Sequence, residues 1–202
     1  GYNEEHLERL KKTKKCPICQ LQNADLRKAD LLGAYLNEAN LSETNLTDAD
    51  LTGANLRKAD LRNADLTNAD LRKADLREAV LRGAYLRDAD LRKANLFDAD
   101  LTSANLLGAN LSRTVLLSAS LAGADLRKAD LRKANLFNAD LTSANLSEAR
   151  LTDADLSGAI LTGANLTGAD LRGVKLFMTE MTFVIFCNTR TSYGIQNSGC
   201  KK

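Results

Sequence analysis

Leucine recurs at every fifth position from Leu21 to Leu176, and this spacing does not suit a single helix or a single strand. On an α-helix, each step of five residues would turn the leucine by about 140°, so the leucines could not share one face. On a continuous strand, an odd spacing would place successive leucines on opposite faces. The spacing therefore predicts a solenoid, in which the chain turns a corner within each repeat.

The residues around each leucine support this interpretation. The residue two positions before each leucine is small and is almost always alanine, as in the pair Ala59 and Leu61. Residues two apart in an extended segment point to the same side, so alanine and leucine are predicted to share the core. The residue just before the leucine is usually Asp or Asn, whose side chain bonds the backbone two residues on and stabilises a turn. The repeat is therefore A-[DN]-L-x-x.

This repeat resembles that of the pentapeptide-repeat family along the chain from Leu21 to Leu176. The resemblance implies an all-β fold, a right-handed quadrilateral β-helix with twenty residues in each coil. Independently, residues 89–106 recur almost unchanged at 129–146, and this offset of forty is a whole number of four-sided coils. About eight coils at ~4.8 Å spacing predict a rod roughly 40 Å long.

The two ends break the rhythm and are predicted to be caps of one single domain. Residues 1–20 are expected to form a helical cap, because Asn3 suits an N-cap and acidic residues follow it. The β-helix is assigned to residues 21–186, and the bulky apolar segment 182–186 is expected to close its far end. Residues 187–202 are expected to form an irregular C-terminal cap and tail.

Four cysteines lie outside the regular repeats, in the pairs Cys16/Cys19 and Cys187/Cys200. The pairs belong to opposite ends of the predicted rod, so a zinc site with four thiolates is not expected. We expect each pair to form a local disulfide that pins a cap. Two alternatives stay open: thiol–disulfide exchange through Cys16 and Cys19, and free buried thiols.

The segment 16–21, CPICQL, is similar to the start of exported cyanobacterial pentapeptide-repeat proteins, which typically has the sequence CPGCDL. The ending, from 186 to 200, is similar to a tail of the same group. The resemblance implies the thylakoid lumen or the periplasm, where disulfides persist. The chain opens on Gly1, so we expect that a signal peptide has been removed. The cytoplasm is the alternative.

One outward column contains apolar residues on successive predicted coils. Its members stand just after a leucine and twenty residues apart: Asn37, Arg57, Arg77, Phe97, Leu117, Phe137, Ser157 and Phe177. We identify its apolar members as a candidate interaction surface for self-association: Phe97, Leu117, Phe137 and Phe177. The alternative is that stacked aromatic rings only stabilise adjacent coils.

The charges are balanced and interleaved, with 28 Lys and Arg against 26 Asp and Glu. The outward arginines between Arg57 and Arg92 are predicted to form exposed ion pairs, with an anionic partner as the alternative. We expect no nucleic-acid partner, because the mixed charge forms no basic patch. No apolar run is long enough for membrane insertion.

The motifs supply no set of catalytic residues, metal ligands or cofactor-binding residues. We therefore predict a non-enzymatic structural or protein-interaction scaffold, with no cofactor and an unidentified protein partner. One alternative is a DNA mimic that inhibits a topoisomerase, which would need a strongly acidic face. A less favoured alternative is a redox protein that uses the C-x-x-C motif.

Overall fold

The chain begins with a helix that covers one end of the core. The computed structural model describes residues 1–200, and α1 extends over Glu4–Thr13. The side chain of Asn3 accepts a hydrogen bond from the His6 backbone N–H at 3.2 Å, so it is the N-cap that the sequence predicts. Leu7 and Leu10 are the buried side chains of α1.

From residue 15 onward, the backbone forms isolated parallel bridges between residues twenty apart. The ladder begins with Lys15↔Tyr35 and ends with Asp170↔Arg190. Eight successive steps of twenty residues lead from Lys15 to Lys175, and we call each such step a coil. The ladder thus extends beyond the predicted bounds 21–186, and the division of the chain into a helix cap, a β-helix and a tail stays a prediction.

Main-chain hydrogen bonds join each coil to the next one. The Leu61 N–H donates to the Val80 carbonyl at 2.7 Å, and the Asn63 N–H donates to the Arg82 carbonyl at 3.0 Å. The same pair of bonds recurs at nearly every repeat. These bonds pair backbone N–H and C=O groups that lie next to an apolar core. They therefore avoid the large cost of burying such groups without a partner.

The corner of each repeat is a turn held by the residue that precedes the leucine. Asp60 Oδ1 accepts the Arg62 backbone N–H at 3.1 Å, and the Ala64 N–H donates to the Leu61 carbonyl at 3.1 Å. The second corner residue has a left-handed backbone, as Asn63 does with φ of 55°. The predicted role of Asp and Asn as turn formers is therefore confirmed.

Leucine and alanine fill the core, as the repeat predicts. Every repeat leucine from Leu21 to Leu171 is at most 5% exposed, whereas Leu176 on the last coil is 38% exposed. Burial of one leucine contributes about 1.5–3 kcal/mol, so the core depends on the stacking of neighbours.

Threonine replaces alanine at two core positions without leaving an unpaired hydroxyl. Thr44 and Thr114 are each 1% exposed. The Thr44 hydroxyl donates to the Leu41 carbonyl at 2.6 Å, and the Thr114 hydroxyl donates to the Leu111 carbonyl. A buried hydroxyl that is hydrogen-bonded avoids the desolvation penalty, which explains why these positions tolerate threonine.

The C-terminal tail contains regular strands, so the prediction of an irregular tail is wrong here. Strands β1 (Thr189–Thr191) and β2 (Gly194–Gln196) form an antiparallel hairpin. Gly194 has φ of 116°, a conformation that favours glycine, and the Tyr193 N–H donates to Thr191 Oγ1 at 3.2 Å. These features stabilise the two-residue loop that connects β1 to β2.

The apolar segment before the hairpin closes the end only in part. Val184 and Phe186 pack against the core, but Met178 is 79% exposed and Phe183 is 84% exposed. Met178 and Phe183 occupy the second corner position, with φ of 55° and 57°, and this position points outward throughout the ladder. The expectation that segment 182–186 closes the end is therefore wrong for Phe183; Met178 lies outside that segment and is exposed at the same repeat position.

Ala129→Phe tests the narrow core, because Ala129 is 0% exposed and a phenyl ring there must displace the neighbouring coils. We expect a loss of at least about 2 kcal/mol in the free energy of unfolding. Ala122→Phe is the matched control, since Ala122 lies at an outward corner and is half-buried. Thermal unfolding measures both variants, and equal stability of the two would contradict the assigned positions.

Candidate interaction site

The backbone places three apolar side chains of the predicted column next to each other. Phe97, Leu117 and Phe137 lie at the first corner position of successive coils. The Asp98 N–H donates to the Leu117 carbonyl at 3.0 Å, and the Ser118 N–H donates to the Phe137 carbonyl at 2.9 Å. We call Phe97, Leu117 and Phe137 the apolar trio.

The trio combines a fixed backbone with exposed rings. Phe97 is 40% exposed and Phe137 is 41% exposed, while Leu117 between them is half-buried. The Phe97 N–H donates to Asn95 Oδ1 at 3.0 Å, and the Phe137 N–H donates to Asn135 Oδ1 at 3.1 Å. Each aromatic residue is therefore held at its corner by an asparagine turn.

Sequence reasoning missed one member of this surface. Val115 is half-buried and occupies the outward position that holds Asn95 and Asn135 on the neighbouring coils. Val115 and Leu117 thus make both flanks of one turn apolar. The missed signal is the replacement of the usual turn-forming Asp or Asn by valine.

Phe177 lies apart from the trio in the same column. Ser157 stands on the intervening coil and is 8% exposed, whereas Phe177 is 74% exposed. The Gly158 N–H donates to the Phe177 carbonyl at 2.8 Å, which joins the last two coils. Phe177 therefore belongs with Met178 and Phe183 at the C-terminal end, and the column contains two apolar patches.

The N-terminal cysteines are joined and buried beneath α1. The Sγ atoms of Cys16 and Cys19 are 2.03 Å apart, and both residues are 0% exposed. Arg9 Nη2 lies 2.7 Å from Cys19 Sγ, and the Cys16 N–H donates to the Tyr35 carbonyl at 2.8 Å. This pair connects the helix end of the chain to the first coils.

The C-terminal cysteines enclose the hairpin. The Sγ atoms of Cys187 and Cys200 are 2.08 Å apart, and the Cys187 carbonyl accepts the Gly168 N–H at 2.7 Å. Residues 1–200 contain no free cysteine and no group of three His, Cys, Asp or Glu side chains that could hold a metal ion.

Several arginines on the surface pair with the aspartate two residues earlier, within the same turn. Arg72 Nε donates to Asp70 Oδ1 at 2.8 Å, and this guanidinium holds the pKa of Asp70 below its usual value of 3.8. Hydrogen bonds from the arginine two residues on lower other carboxyl pKa values in the same way, those of Asp60, Asp75, Asp125 and Asp170. The ion-pair lattice therefore neutralises much of the surface.

These pairs predict acid sensitivity. A carboxyl whose pKa is lowered on folding stabilises the fold above its unfolded pKa, and this stability is lost as the pH falls through the folded pKa. We expect the melting temperature to decrease once the pH is lowered below about 4, which is near the usual pKa of Asp, 3.8.

A triple variant that neutralises three of these aspartates should show a smaller decrease in melting temperature at acid pH than the unaltered chain. Its substitutions are Asp60→Asn, Asp70→Asn and Asp75→Asn. Asparagine keeps the oxygen that accepts the turn N–H but removes the titrating charge. Thermal unfolding between pH 7 and pH 2 compares the two, and an identical pH dependence would contradict the assigned role of these pairs.

Intact mass after alkylation tests the cysteine pairs. Without reduction, none of the four cysteines should be alkylated under denaturing conditions; after reduction, all four should be. A mass increase of two or more alkyl groups before reduction would show that at least one of the two pairs is not a disulfide.

Comparison with known proteins identifies the repeat. The family model described as pentapeptide repeats matches eight copies, over residues 19–57, 59–96, 94–132 and 134–176. No curated protein matches the chain. None of the helices in residues 1–200 has the length and the apolar composition that a membrane span requires.

Two solved structures share much of their length with this chain. HetL, a pentapeptide repeat protein involved in heterocyst differentiation regulation from the cyanobacterium Nostoc sp. strain PCC 7120, is 34% identical; the match covers 97% of this chain and 100% of HetL, with a TM-score of 0.51. QnrB1, a plasmid-mediated fluoroquinolone resistance protein, is 25% identical; the match covers 76% of this chain and 78% of QnrB1, with a TM-score of 0.69.

A third structure comes from the thylakoid lumen of Arabidopsis thaliana. This pentapeptide repeat protein is 31% identical, and the match covers 56% of this chain and 65% of its own, with a TM-score of 0.26. The family match over most of the sequence, together with the similarity to HetL, shows that this chain belongs to the pentapeptide repeat family.

Proposed function

We propose that the protein is a non-enzymatic interaction scaffold built on a right-handed quadrilateral β-helix. The solved pentapeptide repeat structures support the handedness and the four-sided coil, which agree with bridges between residues twenty apart. The observation that carries the functional proposal is the apolar trio, because exposed apolar residues that adjoin one another mark interaction surfaces.

A second copy of the chain is the partner that the trio suits best. Its order along the column, Phe97–Leu117–Phe137, is symmetric about Leu117. A two-fold axis at Leu117 would bring Phe97 of one copy against Phe137 of the other. Two-fold interfaces use the same surface on both copies, so they require this kind of self-complementarity.

The buried cysteines argue against the redox alternative. Thiol–disulfide exchange needs an accessible sulfur atom, and both Cys16 and Cys19 are 0% exposed beneath α1. Their structural role favours a protein whose disulfides persist. Together with the resemblance of segment 16–21 to exported proteins, the two cysteine pairs support a location in the thylakoid lumen or the periplasm.

A second candidate function is the DNA mimic that the sequence leaves open, which would act on a topoisomerase; the likeness to QnrB1, a fluoroquinolone resistance protein, is the observation that favours it. The surface charge opposes it, because arginines pair with aspartates along the coils and the net charge is +2. A gyrase supercoiling assay decides the matter: inhibition by the purified protein would favour the mimic, and full supercoiling at a large molar excess would eliminate it.

Phe97→Ser/Phe137→Ser tests self-association through the trio. The double variant should abolish the dimer, because it removes the two exposed rings while the turn hydrogen bonds remain. Leu107→Ser is the matched control, since Leu107 is an isolated, half-buried residue at the same repeat position on the opposite side.

Sedimentation velocity over a range of concentrations measures all three proteins. The unaltered chain and Leu107→Ser should form a dimer, while the double variant should stay a monomer. A monomeric unaltered chain at every concentration, or a dimer that persists in the double variant, would overturn self-association through this surface.

A further inference from the structure

A cavity lies on a side of the coil stack that does not carry the apolar trio. It has a volume of about 580 Å³ and extends along the corners of successive coils. Six cationic or small residues dominate its lining: Arg92, Lys93, Ser112, Arg113, Arg132 and Lys133. No aromatic side chain lines it.

The cations at the second corner position of this side lack acidic partners. Lys73, Lys93, Arg113 and Lys133 are exposed, stand twenty residues apart, and form no ion pair within the described residues. At the same repeat position on other sides, Lys58 lies 3.5 Å from Glu78 and Lys128 lies 3.9 Å from Glu148. Unneutralised positive charge is therefore concentrated in one column.

A change in the repeat creates the space between these cations. On the neighbouring coils Arg92 pairs with Asp90 and Arg132 pairs with Asp130, at 2.9 and 2.8 Å between Nε and Oδ1. On the middle coil, Asn110 and Ser112 occupy the positions of that aspartate and arginine.

The middle turn is intact although its charges are missing. Asn110 Oδ1 accepts the Ser112 N–H at 3.1 Å, as aspartate does elsewhere. The short serine leaves a gap between the two long arginines, and its hydroxyl makes no hydrogen bond within residues 1–200. Arg113, next to it, has no carboxylate on its own turn to neutralise it.

From this geometry we propose that the cavity binds a short oligophosphate chain. Lys93, Arg113 and Lys133 lie on three successive coils, so the outer two are separated by roughly 10 Å at ~4.8 Å per coil. The Arg113 guanidinium can bind phosphoryl oxygens in a fork, with a lysine ammonium on either side and the Ser112 hydroxyl as a further donor.

The surroundings limit the ligand to a short anion. Asp153 lines the far end of the cavity, at the repeat position that carries Lys133 one coil earlier, so its carboxylate repels a chain that continues in that direction. Single-stranded nucleic acids are held by aromatic stacking as well as charge, and the cavity offers no ring. The phosphate chain alone is therefore the recognised chemistry, whether it is inorganic or part of a nucleotide.

Titration calorimetry with inorganic tripolyphosphate tests this site in the unaltered full chain at low salt. We expect binding that weakens as salt rises. Lys93→Gln/Lys133→Gln should weaken it about tenfold or more, since it removes two of the three aligned cations. Lys58→Gln/Lys128→Gln removes the same net charge from the same repeat position on other sides, and should bind like the unaltered chain.

The outcomes distinguish this site from diffuse attraction and from the proposed self-association. Equal weakening by both double variants, or no binding of tripolyphosphate, would overturn the proposal. ATP should bind as tripolyphosphate does; binding of ATP or of a single-stranded oligonucleotide without binding of tripolyphosphate would also overturn it. Phe97→Ser/Phe137→Ser should keep full tripolyphosphate affinity, because the trio lies on another side.

Discussion

The main-chain hydrogen bonds between residues twenty apart determine the rest of this structure. The Leu116 N–H donates to the Asn135 carbonyl at 2.7 Å, and equivalent bonds join the other coils. They align each side chain with the one twenty residues later, so leucine stacks on leucine and each outward position becomes a column. The regular core also explains the narrow choice of residues, because close packing leaves little room beyond alanine and leucine.

Much of the fold could be predicted from particular residues. The leucine spacing indicates the core, Asn3 indicates the start of α1, and the aspartates indicate the turns. The tail could not be predicted in this way, because the hairpin around Gly194 depends on local turn geometry and on contacts with the last coil. The exposure of Phe183 likewise depends on where the ladder ends, which no single repeat specifies.

The candidate sites occur where the repeat departs from its own pattern. The column of Phe97 and Phe137 is predictable once a coil of twenty residues is assumed, and Val115 could have been found because valine replaces the usual Asp or Asn there. The cavity at Ser112 depends on the absence of an arginine that neighbouring coils possess, and an absence becomes visible only when the coils are stacked. On a scaffold this regular, a single departure from the repeat is therefore enough to create a distinct surface.

Amide hydrogen exchange, resolved by residue, shows whether the hydrogen bonds between coils hold the fold. The Leu116 amide should exchange slowly, because it donates to the next coil, whereas Leu176 on the last coil donates no such bond to any of residues 1–200 and should exchange rapidly. Slow exchange at repeat leucines along the ladder with rapid exchange at Leu176 is the predicted result. Exchange at Leu116 as rapid as at Leu176 would show that these bonds do not hold the fold.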